Sequence, residues 1–336
     1  MLTVYLTHTP DALANYYGED ALAALRKVAQ VRLNETGRHL AGTELAEAAR
    51  GCEAIISYRQ SPGEAATFEN APDLVAFLRC AVDIRNVDVA AASAAGVLVT
   101  RATPGFVDSV TELVLGMMVD LARGIGAATQ AYRRGEVPAA RMGMQLAGST
   151  LGVVGYGAIG RRLAALGAAL GMRVLVTDPY AQVPPGAAAE QVRFEDLLAA
   201  SDVVVCLAVA NEETEKLMDA AAFARMRRGA FFINPSRGNL VDEDALRAAL
   251  DGGHLAGAAM DVGRAPDQMP TPALAAHPKV IATPHIGGLT PAAIGHQAMD
   301  TVRQVTALAE GRLPDHAVNA AAAHRLARLG ITPPAG

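Results

Sequence analysis

The sequence predicts an α/β protein built from two doubly wound units. Three observations carry this. Short apolar runs alternate with longer helical stretches along the chain, a Pro104-Gly105 break separates two such series, and the second series opens on a glycine-rich turn. Alternation of this kind builds largely parallel sheets, because parallel neighbours need a crossover and a helix supplies it.

In the first series the strand candidates are residues 3–6, 54–56, 76–80 and 97–100, with helical stretches such as 43–50 and 87–95 between them. A long helix over about 107–122 follows the Pro-Gly break, and this region is read as a domain crossing. The second unit begins near Thr150 and runs to about Gly288, with strands at 151–154, 173–177, 203–207, 230–233, 258–260 and 280–282. The helix after Pro291 returns the chain to the first unit. The Ala-rich tail from Ala320 reads as a peripheral helix or a frayed end.

Composition narrows the function classes. The 336 residues are 51% hydrophobic, enough for a sizeable core. A net charge of −5 without a long single-sign run argues against a nucleic-acid or membrane-surface partner. Trp is absent, which disfavours stacking on single strands. No apolar run spans a bilayer, and the stretch Met1 to Thr7 reads as a strand, not a signal peptide. Cys52, Cys80 and Cys206 are scattered, so they read as reduced core residues of a cytoplasmic protein.

The glycine-rich turn is specific in its context. Leu151 to Gly160 is an apolar strand running into Gly155-Tyr156-Gly157-Ala158-Ile159-Gly160, followed by a helix of small residues and a second apolar strand ending on Asp178. Gly155 permits the tight turn, Gly157 lets a pyrophosphate approach the backbone, and Gly160 lets the helix pack on the strand. The helix N-terminus offers unpaired N–H groups to phosphate. Asp178 is suited to the adenosine ribose hydroxyls and repels a 2′-phosphate, so the pattern points to NAD rather than NADP. Arg161 and Arg162 lie beyond the glycines and read as a solvated face.

In an open α/β sheet ligands bind beyond the carboxyl ends of the strands. There the sequence places Asn234-Pro235-Ser236-Arg237-Gly238, then Asp261, then Thr283-Pro284-His285-Ile286-Gly287-Gly288. Alone, Arg237 reads equally as a surface cation, Asp261 as a helix cap and His285 as a loop histidine. Three such residues at successive strand ends beside a nucleotide turn point instead to a catalytic edge.

These residues resemble the D-isomer-specific 2-hydroxyacid dehydrogenases over about residues 50–319, on the Gly155–Gly160 turn, the stretch from Ile233 to Asp242 and the stretch from Thr283 to Gly288. The resemblance implies a Rossmann NAD-binding domain, 104–288, inserted into a flavodoxin-like substrate domain, 1–103 and 289–320, with 321–336 as a C-terminal tail. It also implies a homodimer formed through the helix after Pro104. Arg237 would hold the substrate carboxylate and polarise its carbonyl, and His285 would be the general acid/base. Gly155, Gly157, Ala158, Ile159, Gly160, Asp178, Ser236, Asp261 and Gly287 would contact the cofactor, with Asp261 near the nicotinamide.

The chain departs from the family pattern at three places. The Glu that pairs with the catalytic His is replaced by Pro266, so Asp267 is expected to take its place, with a solvent-exposed loop aspartate as the alternative. Leu207-Ala208-Val209 replaces the usual His-Leu-Pro. The usual glycine-rich substrate loop reads Ala81-Val82-Asp83-Ile84-Arg85-Asn86, whose Asp83 disfavours an acid unless Arg85 or Arg59 compensates. Arg59 and Arg85 are therefore the expected anion-holding pair, against the alternative of two solvated arginines. A nucleotide-sensing, partner-binding protein on the same fold keeps Arg237 and His285 as well, and stands as the second reading.

Overall fold

The computed structural model of the chain describes residues 1–334. The chain divides into two compact units, one comprising Met1–Gly105 and Pro291–Gly336, the other Phe106–Thr290. Among the described residues the strands are β1 (Leu2–Leu6), β2 (Ala29–Leu33), β3 (Ala54–Ser57), β4 (Ala76–Arg79), β5 (Leu98–Arg101), β6 (Thr150–Val154), β7 (Arg173–Thr177), β8 (Glu190–Gln191), β9 (Val203–Cys206), β10 (Phe231–Asn234), β11 (Gly257–Met260) and β12 (Val280–Ala282).

The first unit is a five-stranded parallel sheet in the order β2-β1-β3-β4-β5. Successive strand residues face opposite ways, so the apolar strands feed two cores. Val4, Leu6, Ile56, Leu78 and Leu98 join one, with Leu25 of the helix Glu19–Val28 and Val302 of the helix Pro291–Ala309. Tyr5, Ile55, Phe77 and Val99 join the other. The order places the topological switch point between β1 and β3.

Two features differ from the sequence expectation. β2 was not foreseen, because the helix Glu19–Val28 runs into it without a Gly or Pro, and only the extended backbone of Ala29 ends the helix. The tail is neither peripheral nor frayed over its described part. Ala323, Leu326 and Ile331 are buried in the first core, and Arg325 donates to the carbonyls of Ala71 and Leu74 at 2.7 and 2.9 Å. It therefore packs as part of the first unit, while Ala335 and Gly336 lie outside the described residues.

The second unit is a seven-stranded parallel sheet in the order β12-β11-β10-β9-β6-β7-β8, a doubly wound sheet of Rossmann type. All six expected strands form. The two-residue β8 adds an edge too short and polar to register as a strand in the sequence. The helix Val107–Arg123 covers one face with Val114, Met117 and Met118, and the helix after the glycine turn spans Ala158–Ala169.

The three cysteines are buried and unpaired. Burial pushes the Cys80 and Cys206 thiols up to about 12, so neither is a ready nucleophile. Among the described residues no helix is long and apolar enough to cross a membrane.

Candidate functional site

The glycine turn has the geometry a dinucleotide needs. Gly155 sits at φ +102, a left-handed conformation that side chains resist, and a Cβ there would lie 2.6 Å from the Leu207 carbonyl oxygen. A Cβ at Gly160 would collide with the Gly155 carbonyl, whereas the space beside Gly157 is open. Gly157 is also the N-cap of the helix Ala158–Ala169 and has no side chain to cap it. The first-turn N–H groups of Ala158, Ile159 and Gly160 thus lack an intrahelical acceptor, the arrangement that takes a pyrophosphate.

Asp178 follows the end of β7. Its Oδ2 accepts from Tyr156 N at 2.6 Å, and its Oδ1 accepts from Tyr180 N and Ala181 N at 2.8 Å each. Burial alone would raise its pKa. The three backbone donors and the Arg161 charge outweigh burial and hold it below the ordinary carboxylate range. Arg161 stacks on the Tyr156 ring at 5.3 Å, and Arg162 pairs with Asp108 at 2.6 Å, both on an exposed face.

Arg237 and His285 lie on two turns, each braced by a buried polar side chain at a strand end. Asn234, the last residue of β10, donates through Nδ2 to the Arg237 carbonyl at 2.8 Å and accepts from Ser236 N at 3.0 Å. Ser236 Oγ donates to the Ala208 carbonyl at 2.9 Å, and the half-buried Arg237 donates to the Ser236 carbonyl at 2.8 Å. Asp261, 1% exposed just after β11, accepts from Thr283 Oγ1 at 2.6 Å, Ile286 N at 2.9 Å and Gly287 N at 2.8 Å. The Asp261 N–H donates in turn to the Asn234 carbonyl at 3.1 Å, linking the two braces. Asn234 was missed by sequence reasoning, although it stands inside the motif. Its signal is a polar residue closing an apolar strand.

His285 adopts φ +56, and its Nδ1 lies 2.9 Å from a carbonyl oxygen, that of Asp267. A carbonyl only accepts, so Nδ1 carries the proton in this bond and Nε2 is the nitrogen left for chemistry. The expectation was an Asp267 carboxylate at that nitrogen, and the atom found there is the main-chain oxygen. Asp267 and Gln268 both adopt left-handed backbone, at φ +56 and +58, within a turn closed by Gly263 N to Gln268 O at 2.8 Å. Left-handed non-glycine residues cost on the order of 1 kcal/mol each and persist where the surroundings hold them.

In the first unit Arg59 follows the carboxyl end of β3, with its guanidinium over the Tyr16 ring at 5.5 Å. Arg85 is engaged by Asp83, with Nη2 to Oδ2 at 2.6 Å and Nε shared between both carboxylate oxygens at 3.0 Å. Its charge cancels that of Asp83. Sequence reasoning also missed Arg79, a lone cation inside the apolar β4. It is buried and donates to the carbonyls of Tyr58, Arg59 and Asp83 at 2.6, 2.9 and 3.1 Å, tying together the turns that carry Arg59 and Asp83. Burial lowers its pKa to about 10, so it remains charged near neutrality.

Comparison with known proteins fits this geometry. The family model described as D-isomer specific 2-hydroxyacid dehydrogenase, NAD binding domain, matches residues 115–287. A relative named (S)-sulfolactate dehydrogenase, from Chromohalobacter salexigens, is 36% identical over 262 residues, 76% of this chain and 82% of that protein. A D-3-phosphoglycerate dehydrogenase from Methanocaldococcus jannaschii is 31% identical over 90% of this chain, which spans only 57% of that longer protein. The solved D-lactate dehydrogenase of Escherichia coli superposes with a TM-score of 0.78 at 26% identity, covering 94% of this chain and 100% of that one.

Proposed function

The chain belongs to the D-isomer specific 2-hydroxyacid dehydrogenase family, and from that premise we propose that it interconverts a small anionic 2-keto acid and its D-2-hydroxy acid with NAD. The observation that carries this reading is the pair of linked braces, Asn234 under Arg237 and Asp261 under His285. Main-chain turns held this way fix where the residues they carry start from, which favours preorganisation for a charge that develops only in the transition state. The sulfolactate and phosphoglycerate of the relatives' names are 2-hydroxy acids with a second anionic group, and this supports a substrate of that kind.

The roles follow from chemistry. The glycine turn and the first-turn N–H groups bind the pyrophosphate, Asp178 takes the adenosine ribose, and Ser236, Asp261 and Gly287 border the nicotinamide end. The nicotinamide supplies or accepts the hydride when bound. Arg237 holds the substrate carboxylate and stabilises the negative charge that grows on the carbonyl oxygen. His285 gives a proton from Nε2 to that oxygen in reduction and takes it back in oxidation. Asp267 keeps the ring aimed through its carbonyl. Arg59 takes an anionic group of the substrate, while Arg85 keeps the neighbouring Asp83 from repelling it.

The same reading makes the protein a cytoplasmic homodimer. Exposed Ile125, Tyr132, Val137 and Met142 support self-association through this segment, and the unpaired thiols suit a reducing compartment. The test is NADH consumption over a panel of 2-keto acids, with sulfopyruvate among them. Turnover of at least one is expected. NADH binding without turnover of any would favour the nucleotide-sensing alternative.

A further inference from the structure

The adenosine end of the nucleotide crevice is spanned by a side-chain bond that the mechanism does not use. In the second sheet β6 lies between β7 and β9, and the switch point falls between β6 and β9. Two loops therefore flank the crevice, one after β7 and one after β9. Leu207 N donates to the Val154 carbonyl at 2.7 Å, which keeps the second loop beside the glycine turn. The Tyr180 hydroxyl, on the first loop, donates to Glu213 Oε2, on the second, at 3.0 Å.

Both ends of this bond rest on ordered turns. Asp178 Oδ1 accepts from Tyr180 N and Ala181 N at 2.8 Å each, so the carboxylate assigned to the ribose also fixes the backbone that carries the Tyr180 ring. Gln191 accepts from Val183 N at 2.9 Å and donates to the Ala181 carbonyl at 3.1 Å, which closes the same loop. Glu213 rides the single helical turn Glu212–Thr214. Asn211 Oδ1 accepts from Thr214 N at 3.1 Å, and Thr214 Oγ1 accepts from Asn211 N at 2.9 Å and donates to the Val209 carbonyl at 2.7 Å. The Glu213 carboxylate raises the Tyr180 pKa, so the phenol stays a donor through the neutral range.

The ring held this way is bare. Tyr180 is 81% exposed, and Val209, on the facing loop, is 78% exposed. Val209 also belongs to the stretch where Leu207-Ala208-Val209 departs from the family pattern. Large apolar side chains left in water on two sides of a crevice mark a ligand contact. The ligand group due there is the adenine base, joined to the ribose assigned to Asp178, and a base stacks on an aromatic ring.

We propose that Tyr180 stacks on the adenine of NAD and that Glu213 is the residue that positions the ring. This rests on the ribose role of Asp178 proposed above and names what holds the base beyond it. Glu213 does not touch the base. It acts through the phenol, holding the ring across the crevice, and Val209 offers the apolar contact from the facing loop.

The test reads binding on the full chain. With tyrosine-selective labelling, the Tyr180 ring signals, identified by their loss in Tyr180→Phe, should shift on titration with AMP and stay in place with ribose 5-phosphate. NADH dissociation constants come from nucleotide fluorescence. Tyr180→Ala should weaken NADH about tenfold. Tyr180→Phe and Glu213→Ala keep a ring and lose the bond, and each should weaken NADH about threefold. The double variant should be no weaker than either single one, because both changes remove the same bond. Glu213→Gln, whose amide oxygen still accepts from the phenol, should restore most of the affinity. Ring signals unmoved by saturating AMP, or wild-type NADH affinity in Tyr180→Ala, would overturn the stack. Losses that add in the double variant would overturn the role of Glu213. A wild-type preference for NADH over NADPH, with NADH affinity unchanged in Tyr180→Ala, sinks the stack alone. Equal affinities for NADH and NADPH, both weakened by Tyr180→Ala, sink the Asp178 role and keep the stack.

Discussion

The Asp267 carbonyl oxygen and His285 Nδ1 are 2.9 Å apart, so the imidazole is oriented by main chain. Asp267→Asn keeps that carbonyl, and nitrogen NMR should find His285 protonated on Nδ1 in wild type and variant alike. Asp267→Pro cannot adopt φ +56 and should lower turnover by roughly 100-fold through misplacement of the ring. A switch of His285 to the Nε2-protonated form in Asp267→Asn would show that the carboxylate sets the ring.

Asp261 receives three donors on two carboxylate oxygens. Asp261→Asn turns an NH2 toward at least one of them and leaves a buried N–H facing a donor. Stability should fall by about 1–3 kcal/mol, and turnover should fall further than NADH affinity. Thermal unfolding beside steady-state kinetics checks this. Wild-type melting with wild-type turnover would remove Asp261 from the brace.

The role proposed for Asp178 makes a prediction about cofactor choice. Its pKa lies below the ordinary carboxylate range, so it is charged across the neutral region, and its repulsion of a 2′-phosphate should not fade between pH 6 and 8. NADH should bind at least tenfold, about 1.4 kcal/mol, more tightly than NADPH, measured by nucleotide fluorescence. Equal affinities would contradict the assignment.

The crossing segment carries its own pH dependence. Asp300, on the helix Pro291–Ala309, accepts from Thr103 N at 2.7 Å and from Thr103 Oγ1 at 2.6 Å, and it pairs with Arg303. Burial raises its pKa, yet these bonds outweigh burial and hold it below its ordinary 3.8. A depressed carboxyl adds stability above its unfolded pKa and loses it as pH falls through the folded value. The melting advantage of wild type over Asp300→Asn should therefore be full at neutral pH and shrink below about pH 4. A gap constant from pH 7 to 3 would contradict it.

Arg237→Ala should cost about 3–4 kcal/mol in kcat/KM, with NADH affinity nearly intact, if its charge acts on the developing oxyanion. Unchanged turnover would move Arg237 out of the site.

The sequence made some of this legible and hid the rest for identifiable reasons. Strong apolar runs at β6, β7 and β9 to β12 announced the second sheet, and Gly155, Arg237 and His285 stood out because each follows one of them. β2 was hidden by a helix that runs into it without a Gly or Pro. The tail looked frayed because alanine shows no clear helical period, yet its Ala323 and Leu326 complete a core. Asp267 was singled out for its carboxylate, whereas the atom at His285 is a carbonyl that every residue possesses, so its contact with the ring depends on backbone conformation, which a residue pattern does not display. Arg79 was overlooked because partners distant in sequence cannot be read from a linear pattern.

The most direct test of the central claim follows the hydride itself. The enzyme is given NADH deuterated at C4 and the 2-keto acid it consumes fastest, and the product is analysed for label and configuration. The account predicts deuterium at C2 of the D-2-hydroxy acid, formed far more slowly by Arg237→Ala and His285→Gln. NADH that binds yet transfers no label to any 2-keto acid, or label in the L-acid, would contradict it.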